Sequence, residues 1–257
     1  MAPAVPADGT LDGTVNGAAD HTADGAADHT VNGAAGDTPD GTSAAPGTAP
    51  RADGLLTRLH RLRHSRGWLF GTMLLSACLS LTASFVLSID AVRLAADPAA
   101  DLACNINAVI SCGTVGSSWQ AQLFGFPNAF LGLVAEPVVI TIAVASLCGV
   151  RFPRAFMLAA QVVYTLGMIF AYWLFYQAMF VIGALCPWCL LVTVSTTLVF
   201  STLTHVNIRE GNLFLPRRFQ AAAARFVDAD LDAMVVVIWL LVLALAVVTK
   251  YGAALFG

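Results

Sequence analysis

The sequence predicts an all-α membrane protein with five transmembrane helices behind a disordered N-terminal tail. Three observations carry that prediction. Only 11% of the 257 residues are charged, against 58% hydrophobic, whereas soluble domains carry about 25% charged residues. A soluble globule so poor in charge has no means of covering its surface. Five stretches are long and apolar enough to cross a bilayer, and the arginines fall at alternate ends of them.

The tail comprises residues 1–53. It holds eight of the sixteen acidic residues, one arginine (Arg51), and neither cysteine nor aromatic side chains. Gly-Ala-Ala-Asp-His-Thr occurs at 17–22 and again at 25–30. Such short polar repeats bury too little apolar area to offset the entropy of ordering them, so the tail is expected to be disordered. It also lacks the apolar core of a signal peptide. A basic cytoplasmic segment, 54–66, follows. The remaining 204 residues carry twelve basic and eight acidic residues, so the net charge of −3 averages an acidic tail with a basic body. Nothing in this pattern points to nucleic acid.

Each apolar segment is justified in turn. Residues 68–89 hold no charge over 22 positions, and 127–148 hold one, Glu136. Residues 155–182 are uncharged over 28 positions, long enough to tilt or protrude. Residues 186–206 and 233–249 are also uncharged, the last with room to extend to Phe256. A spanning helix needs about 20 predominantly apolar residues. None of the runs alternates with period two, as barrel strands would.

Orientation follows from the cationic residues. Arg51, Arg58, Arg61, Arg63 and Arg66 precede the first span, Arg151 and Arg154 lie between the second and third, and Arg209, Arg217, Arg218 and Arg225 lie between the fourth and fifth. The other side has only Arg93 and Lys250. Positive loops stay cytoplasmic, so the N-terminus is expected inside and the C-terminus outside.

That topology sorts the six cysteines. Cys104 and Cys112 fall in the outward loop after the first span, and Cys186 and Cys189 open the fourth span at its outward end. All four would face the oxidising side, where disulfides persist. Cys78 and Cys148 are read as small apolar packing residues. The outward four admit three readings: redox-active thiols, two structural disulfides, or a four-cysteine metal site. Seven residues separate Cys104 from Cys112 and no second CxxC follows, which counts against a metal. Cys186-Pro187-Trp188-Cys189 favours redox chemistry. At a first helical turn the free N–H groups favour a thiolate on the leading cysteine, and Pro187 loses no bond there.

Four motifs in order, Cys104-x7-Cys112, Cys112-Gly-Thr-Val-Gly-Ser117-Ser118-Trp119, the run from Phe124 to Gly132, and Cys186-Pro-Trp-Cys189, resemble the bacterial branch of the vitamin K epoxide reductase family over residues 67–206. Each motif alone is weak; in this order and topology they are specific. The resemblance implies a four-helix bundle around a quinone, with the last helix, within 207–257, as an addition. It implies Cys186 and Cys189 as the active-site pair, Cys189 nearest the ring, and Cys104 and Cys112 as a shuttle pair. Ser118 matches the family's loop serine, and Asn128 its polar quinone contact.

By the same resemblance the function is quinone-dependent thiol oxidation. Electrons would pass from a reduced partner, through Cys104 and Cys112, to Cys186, Cys189 and quinone, in the bacterial cytoplasmic membrane. The chain as given ends about eight residues past the fifth span and its tail has no cysteine, so a DsbA-like thioredoxin-fold partner is expected to act in trans. Twelve arginines against one lysine hint at a GC-rich bacterium and at menaquinone. Trp119 stands where the family often has arginine, and Thr193 where animal relatives have tyrosine, which weakens the case for vitamin K epoxide as substrate. The rival functions are a quinone or quinone-epoxide reductase driven by other thiols, and a non-enzymatic protein with structural disulfides or a metal.

Two further groups are weighed. Glu136, beside Pro137, is read as a hydrogen-bonded carboxyl at a kink, with a proton role as the alternative. Tyr164, Tyr172, Trp173 and Tyr176 are read as an interfacial anchoring belt, with a quinone pocket as the alternative.

Overall fold

The computed structural model describes residues 63–256 apart from Ala108, together with Gly54. The expected disordered tail with Arg51, and Arg58 and Arg61 of the basic segment, lie outside the described residues.

Among the described residues the regular elements are helices. They are α1 (Arg66–Ala96), α2 (Cys112–Gly116), a 3-10 turn (Trp119–Gln122), α3 (Ala129–Leu147), α4 (Arg154–Tyr176), α5 (Pro187–Arg209), α6 (Arg217–Asp228) and α7 (Leu231–Phe256). Helix α4 continues into a π-helical turn over Gln177–Ile182, which Gly183 ends at φ 75°, a conformation open to glycine. Five of these helices are long and apolar enough to cross a membrane, in the five places the sequence predicts.

Helix α1 packs against α3 and α5, α4 packs against α5, and α7 lies against α5 and α6. This is the four-helix bundle with one added helix. The close packing of α1 has a simple cause. Ser76, Ala77, Ser80, Ala83, Ser84 and Ser88 are all buried, so small side chains recur on one face and admit neighbouring backbones. Gly132 of α3 meets that face, where a methyl would overlap Ser84. By contrast α7 exposes Val235, Ile238, Leu241 and Leu245, as a lipid-facing helix would.

Three details depart from expectation. Helix α1 runs past residue 89 to Ala96 and carries Asp90 on a helix rather than in a loop. Residues 217–228, expected as part of a cytoplasmic loop, form an amphipathic helix. Cys78 and Cys148 are exposed on the apolar surface instead of packed in a core. Cys78 lies on α1, and Cys148 is the C-cap that ends α3.

Arg66, Arg151, Arg154 and Arg209 gather at one end. Arg66, Arg151 and Arg209 line one shallow pocket, and Arg154 donates to the Gly211 carbonyl. The cysteines Cys104, Cys112, Cys186 and Cys189 gather elsewhere, at the N-terminal end of α5.

Candidate functional site

The four sulfurs converge because two chain segments pair. Ile110 and Leu185 form an isolated parallel β-bridge. Leu185 N donates to the Val109 carbonyl at 2.7 Å, and Ser111 N to the Leu185 carbonyl at 3.0 Å. Cys186 is the next residue on one side of this bridge, and Cys112 follows two residues on along the other. The pairing therefore brings together sequence positions 74 residues apart.

The loop that carries Cys104 and Cys112 is fixed by its own polar side chains. Asn107 Oδ1 accepts from the backbone N–H groups of Val109 and Ile110. Asn105 Oδ1 accepts from Gly113 N at 2.9 Å and from the Ser111 hydroxyl at 3.1 Å. Ser111 caps α2 by accepting from Thr114 N. Local bonds of this kind are what asparagine and serine supply in turns and caps.

Cys104 and Cys112 are joined by a disulfide of 2.02 Å. Cys186 and Cys189 are free thiols. Cys186 Sγ lies 3.3 Å from Cys112 Sγ. Cys186 is the N-cap of α5, and its sulfur accepts from Cys189 N at 3.4 Å. Cys104, Cys112 and Cys186 are buried together with Leu102, and Leu87, Leu94, Val115 and Trp188 pack around them. The sulfurs thus sit in a mostly apolar setting.

One acidic side chain enters this casing. Asp90 Oδ2 lies 3.7 Å from Cys104 Sγ, and its carboxylate and both loop sulfurs lie within 4.8 Å of one another. These three donors form a metal-like cluster by distance, but the two sulfurs are bonded to each other and are not thiolate ligands in this state. Sequence reasoning missed Asp90. Its one signal is an acidic residue directly after an uncharged run of 22.

Beneath the sulfurs a cavity of about 740 Å³ opens between the helices. Cys112, Cys186 and Cys189 line it, as do Ser118, Gln120 and Asn128. Asp90, Ser80, Ser84, Tyr164, Thr193 and Thr196 add polar groups to a wall whose surface is otherwise apolar. Such a volume, with a mostly apolar wall, suits a small organic ligand. Asn128 Nδ2 donates to the Gln120 carbonyl at 2.6 Å, while its Oδ1 is buried without a partner. A buried polar atom left unmatched costs free energy, so it marks a place where a ligand donor belongs. Ser118 donates to the Val115 carbonyl at 2.6 Å, a loop hydrogen bond, and also reaches the cavity wall.

Deeper in, Glu136 Oε1 accepts from Ser80 at 2.8 Å and from Tyr164 at 3.2 Å, and Oε2 has no partner. The carboxyl is thus hydrogen-bonded beside Pro137. Tyr164 is buried on the cavity wall and does not belong to an interfacial belt. Tyr176 is exposed, and Trp173 packs edge-on against Trp119 of the loop.

Residues 72–204 match the sequence profile of the Vitamin K epoxide reductase family. That match begins in α1 and ends in α5, and it includes all four sulfurs and the cavity wall between them. No curated protein matches the chain.

Proposed function

We infer the activity from one premise: the chain belongs to the vitamin K epoxide reductase family. It is a multi-pass membrane oxidoreductase of a family that links thiol redox chemistry to quinones. Within that frame, the chain is a quinone-dependent thiol oxidase that reoxidises a DsbA-like thioredoxin-fold partner acting in trans. The cysteine end faces outward and the arginine-rich end faces the cytoplasm, by the positive-inside rule.

The observation that carries this reading is the 3.3 Å approach of Cys186 Sγ to Cys112 Sγ. At van der Waals contact, one exchange step connects the two pairs. A reduced partner thiolate attacks Cys104, Cys112 leaves as thiolate, and the partner's second cysteine releases itself as a disulfide. Cys112 then attacks Cys186 of an oxidised Cys186–Cys189 pair and frees Cys189. Cys104 attacks Cys112 in turn, which restores the loop disulfide and leaves Cys186 and Cys189 reduced. An oxidised loop pair beside a reduced CxxC is the state the structure holds. It precedes the loss of two electrons and two protons from the CxxC pair.

A quinone in the cavity, menaquinone by our reading, supplies a two-electron acceptor. The fit is good: the wall is mostly apolar, Cys189 borders it, and the orphaned Asn128 Oδ1 can accept from the hydroxyl of a reduced ring. Asn128 and Cys189 are therefore the residues that hold and meet it. Ser118 positions the loop that roofs the cavity, through its bond to the Val115 carbonyl.

The test uses the full chain in vesicles. A reduced partner whose second cysteine is replaced by alanine should open the loop disulfide and stay as a mixed disulfide on Cys104, because no second thiol of its own releases it, and mass spectrometry identifies the site. Capture of the partner on Cys186 in place of Cys104 would reverse the proposed order of the two pairs.

A further inference from the structure

Three groups in this molecule are not used by the proposed relay: the Glu136 carboxyl with its unpartnered oxygen, the charged network joining His205 to Asp232, and Asp90 beside the loop disulfide. Asp90 alone touches a reacting atom. It is buried, it lies on the cavity wall, and Oδ2 stands 3.7 Å from Cys104 Sγ. Among the described residues no cation forms an ion pair with it. The titratable and charged groups around it are Arg93 on its own helix, Cys104 and Cys112 of the loop, and Cys186 ahead of α5. A buried carboxylate is ordinarily paired or hydrogen-bonded. Here the contact is a sulfur that must lose and regain a proton in every cycle.

We propose that Asp90 is a catalytic residue of the relay: its carboxylate takes the proton of Cys104 as Cys104 resolves the mixed disulfide between Cys112 and Cys186. The inference rests on the assignment of Cys104 and Cys112 as the shuttle pair. Before the step, Cys104 and Cys189 are thiols and Cys112 is bonded to Cys186. The Cys104 S–H bond breaks and its proton passes to Asp90 Oδ2. The Cys104 sulfur forms the bond to Cys112, the Cys112–Cys186 bond breaks, and Cys186 leaves as a thiolate held by Cys189 N–H at 3.4 Å. When a reduced partner next opens the loop disulfide, Asp90 returns the proton to Cys104. Leu87, Leu94 and Leu102, which pack around the sulfur, supply no other base.

The test compares the native chain with Asp90→Asn, Asp90→Glu and Cys104→Ala in vesicles containing menaquinone, with a reduced DsbA-type protein as thiol donor. Turnover is followed from pH 6 to 8, and acid-quenched samples are alkylated to count the Cys112–Cys186 mixed disulfide. A positioned base contributes about 10²–10⁴-fold. Asp90→Asn should therefore lose at least about ten-fold in turnover at pH 7 and accumulate the mixed disulfide. Its rate should climb about ten-fold per pH unit toward the ordinary thiol range near 8.5, as a reaction limited by free thiolate must. Asp90→Glu should recover much of the rate and the flatter native profile. Asp90→Ser gives the same reading if Asp90→Asn does not fold. Native turnover in Asp90→Asn alongside a dead Cys104→Ala would overturn the role of Asp90 alone. So would a uniform loss with an unchanged pH profile. Full turnover in Cys104→Ala would overturn the shuttle assignment itself, and the inference with it.

Discussion

At the start of α5, Cys186 meets Cys112 at 3.3 Å. Nineteen residues along the same helix, roughly 28 Å away at the usual rise, His205 Nδ1 meets Asp232 at 2.7 Å. Both ends bury polar chemistry where two distant chain segments meet. At the far end, Arg63 pairs with Asp230 and Asp232, and His64 lies 3.3 Å from His205. Asn207, fully buried, donates to Gln161 at 2.9 Å and accepts from Asn212 at 3.1 Å. These contacts tie the start of α7 and the loop after α5 to the bundle. The difference lies in what the bonds can do. Hydrogen bonds and ion pairs at the arginine-rich end only hold. The sulfur bonds at the other end can change partners, because a thiolate that sits in contact with a disulfide is already on the exchange path.

The predictions test that division, from the largest effect to the smallest. Cys186→Ala or Cys189→Ala should abolish quinone-dependent oxidation of a dithiol partner, while circular dichroism and detergent extraction stay native. Full activity in either chain would end the relay mechanism. Asn128→Ala should raise the KM for quinone about ten-fold, the worth of one hydrogen bond of about 1.4 kcal/mol, with a smaller change for the thiol donor. An equal rise for both substrates would move Asn128 from ligand contact to loop support.

The holding end should respond in the opposite way. His205→Ala removes the imidazole partner of Asp232 Oδ2, with Arg63 still on Oδ1, and should cost about 2 kcal/mol of stability, read as a lower Tm in detergent. Turnover per folded molecule should stay within about two-fold of native, since a static contact contributes no step. A loss of turnover with unchanged Tm would erase the contrast between the ends. Smallest of all, Cys78→Ala and Cys148→Ala should change neither Tm nor turnover measurably, because both side chains are exposed. A lowered rate in either would show that these thiols also exchange.

Much of this was legible along the chain. The five spans follow from uninterrupted apolar runs, since a bilayer-crossing helix needs only length and lack of charge. The CxxC at a helix start follows from Pro187, whose missing N–H suits that turn. The cap geometry bears this out, with Cys186 at the N-cap. The resemblance singles out Asn128 and Ser118, and both reach the cavity, while Ser118 also bonds the Val115 carbonyl of its own loop. What escaped notice depends on contact between remote segments. The Ile110–Leu185 bridge is two residues wide and has no periodic signature. The His205–Asp232 contact joins two helix ends whose residues look like ordinary solvated polar groups in a one-dimensional reading.

The amphipathic helix over Arg217–Asp228 was passed over for a related reason. Its arginines and low mean hydropathy read as a cytoplasmic loop, although its apolar residues recur at helical spacing along one face. Tyr164 shows the limit from the other side. Placed among aromatics near a membrane face it resembled a belt residue, yet it points into the bundle and donates to Glu136.

The amino-acid sequence by itself determined the number of spans, the clustering of arginines at one end and the placing of four cysteines toward the other, because each depends on residues that are neighbours in the chain or on their hydropathy. Only the tertiary structure decided which sulfur lies against which, and that Asp90 stands beside them. Those facts depend on how α1, the loop and α5 approach one another, and that approach is set by small residues on one helix face and by one short backbone pairing.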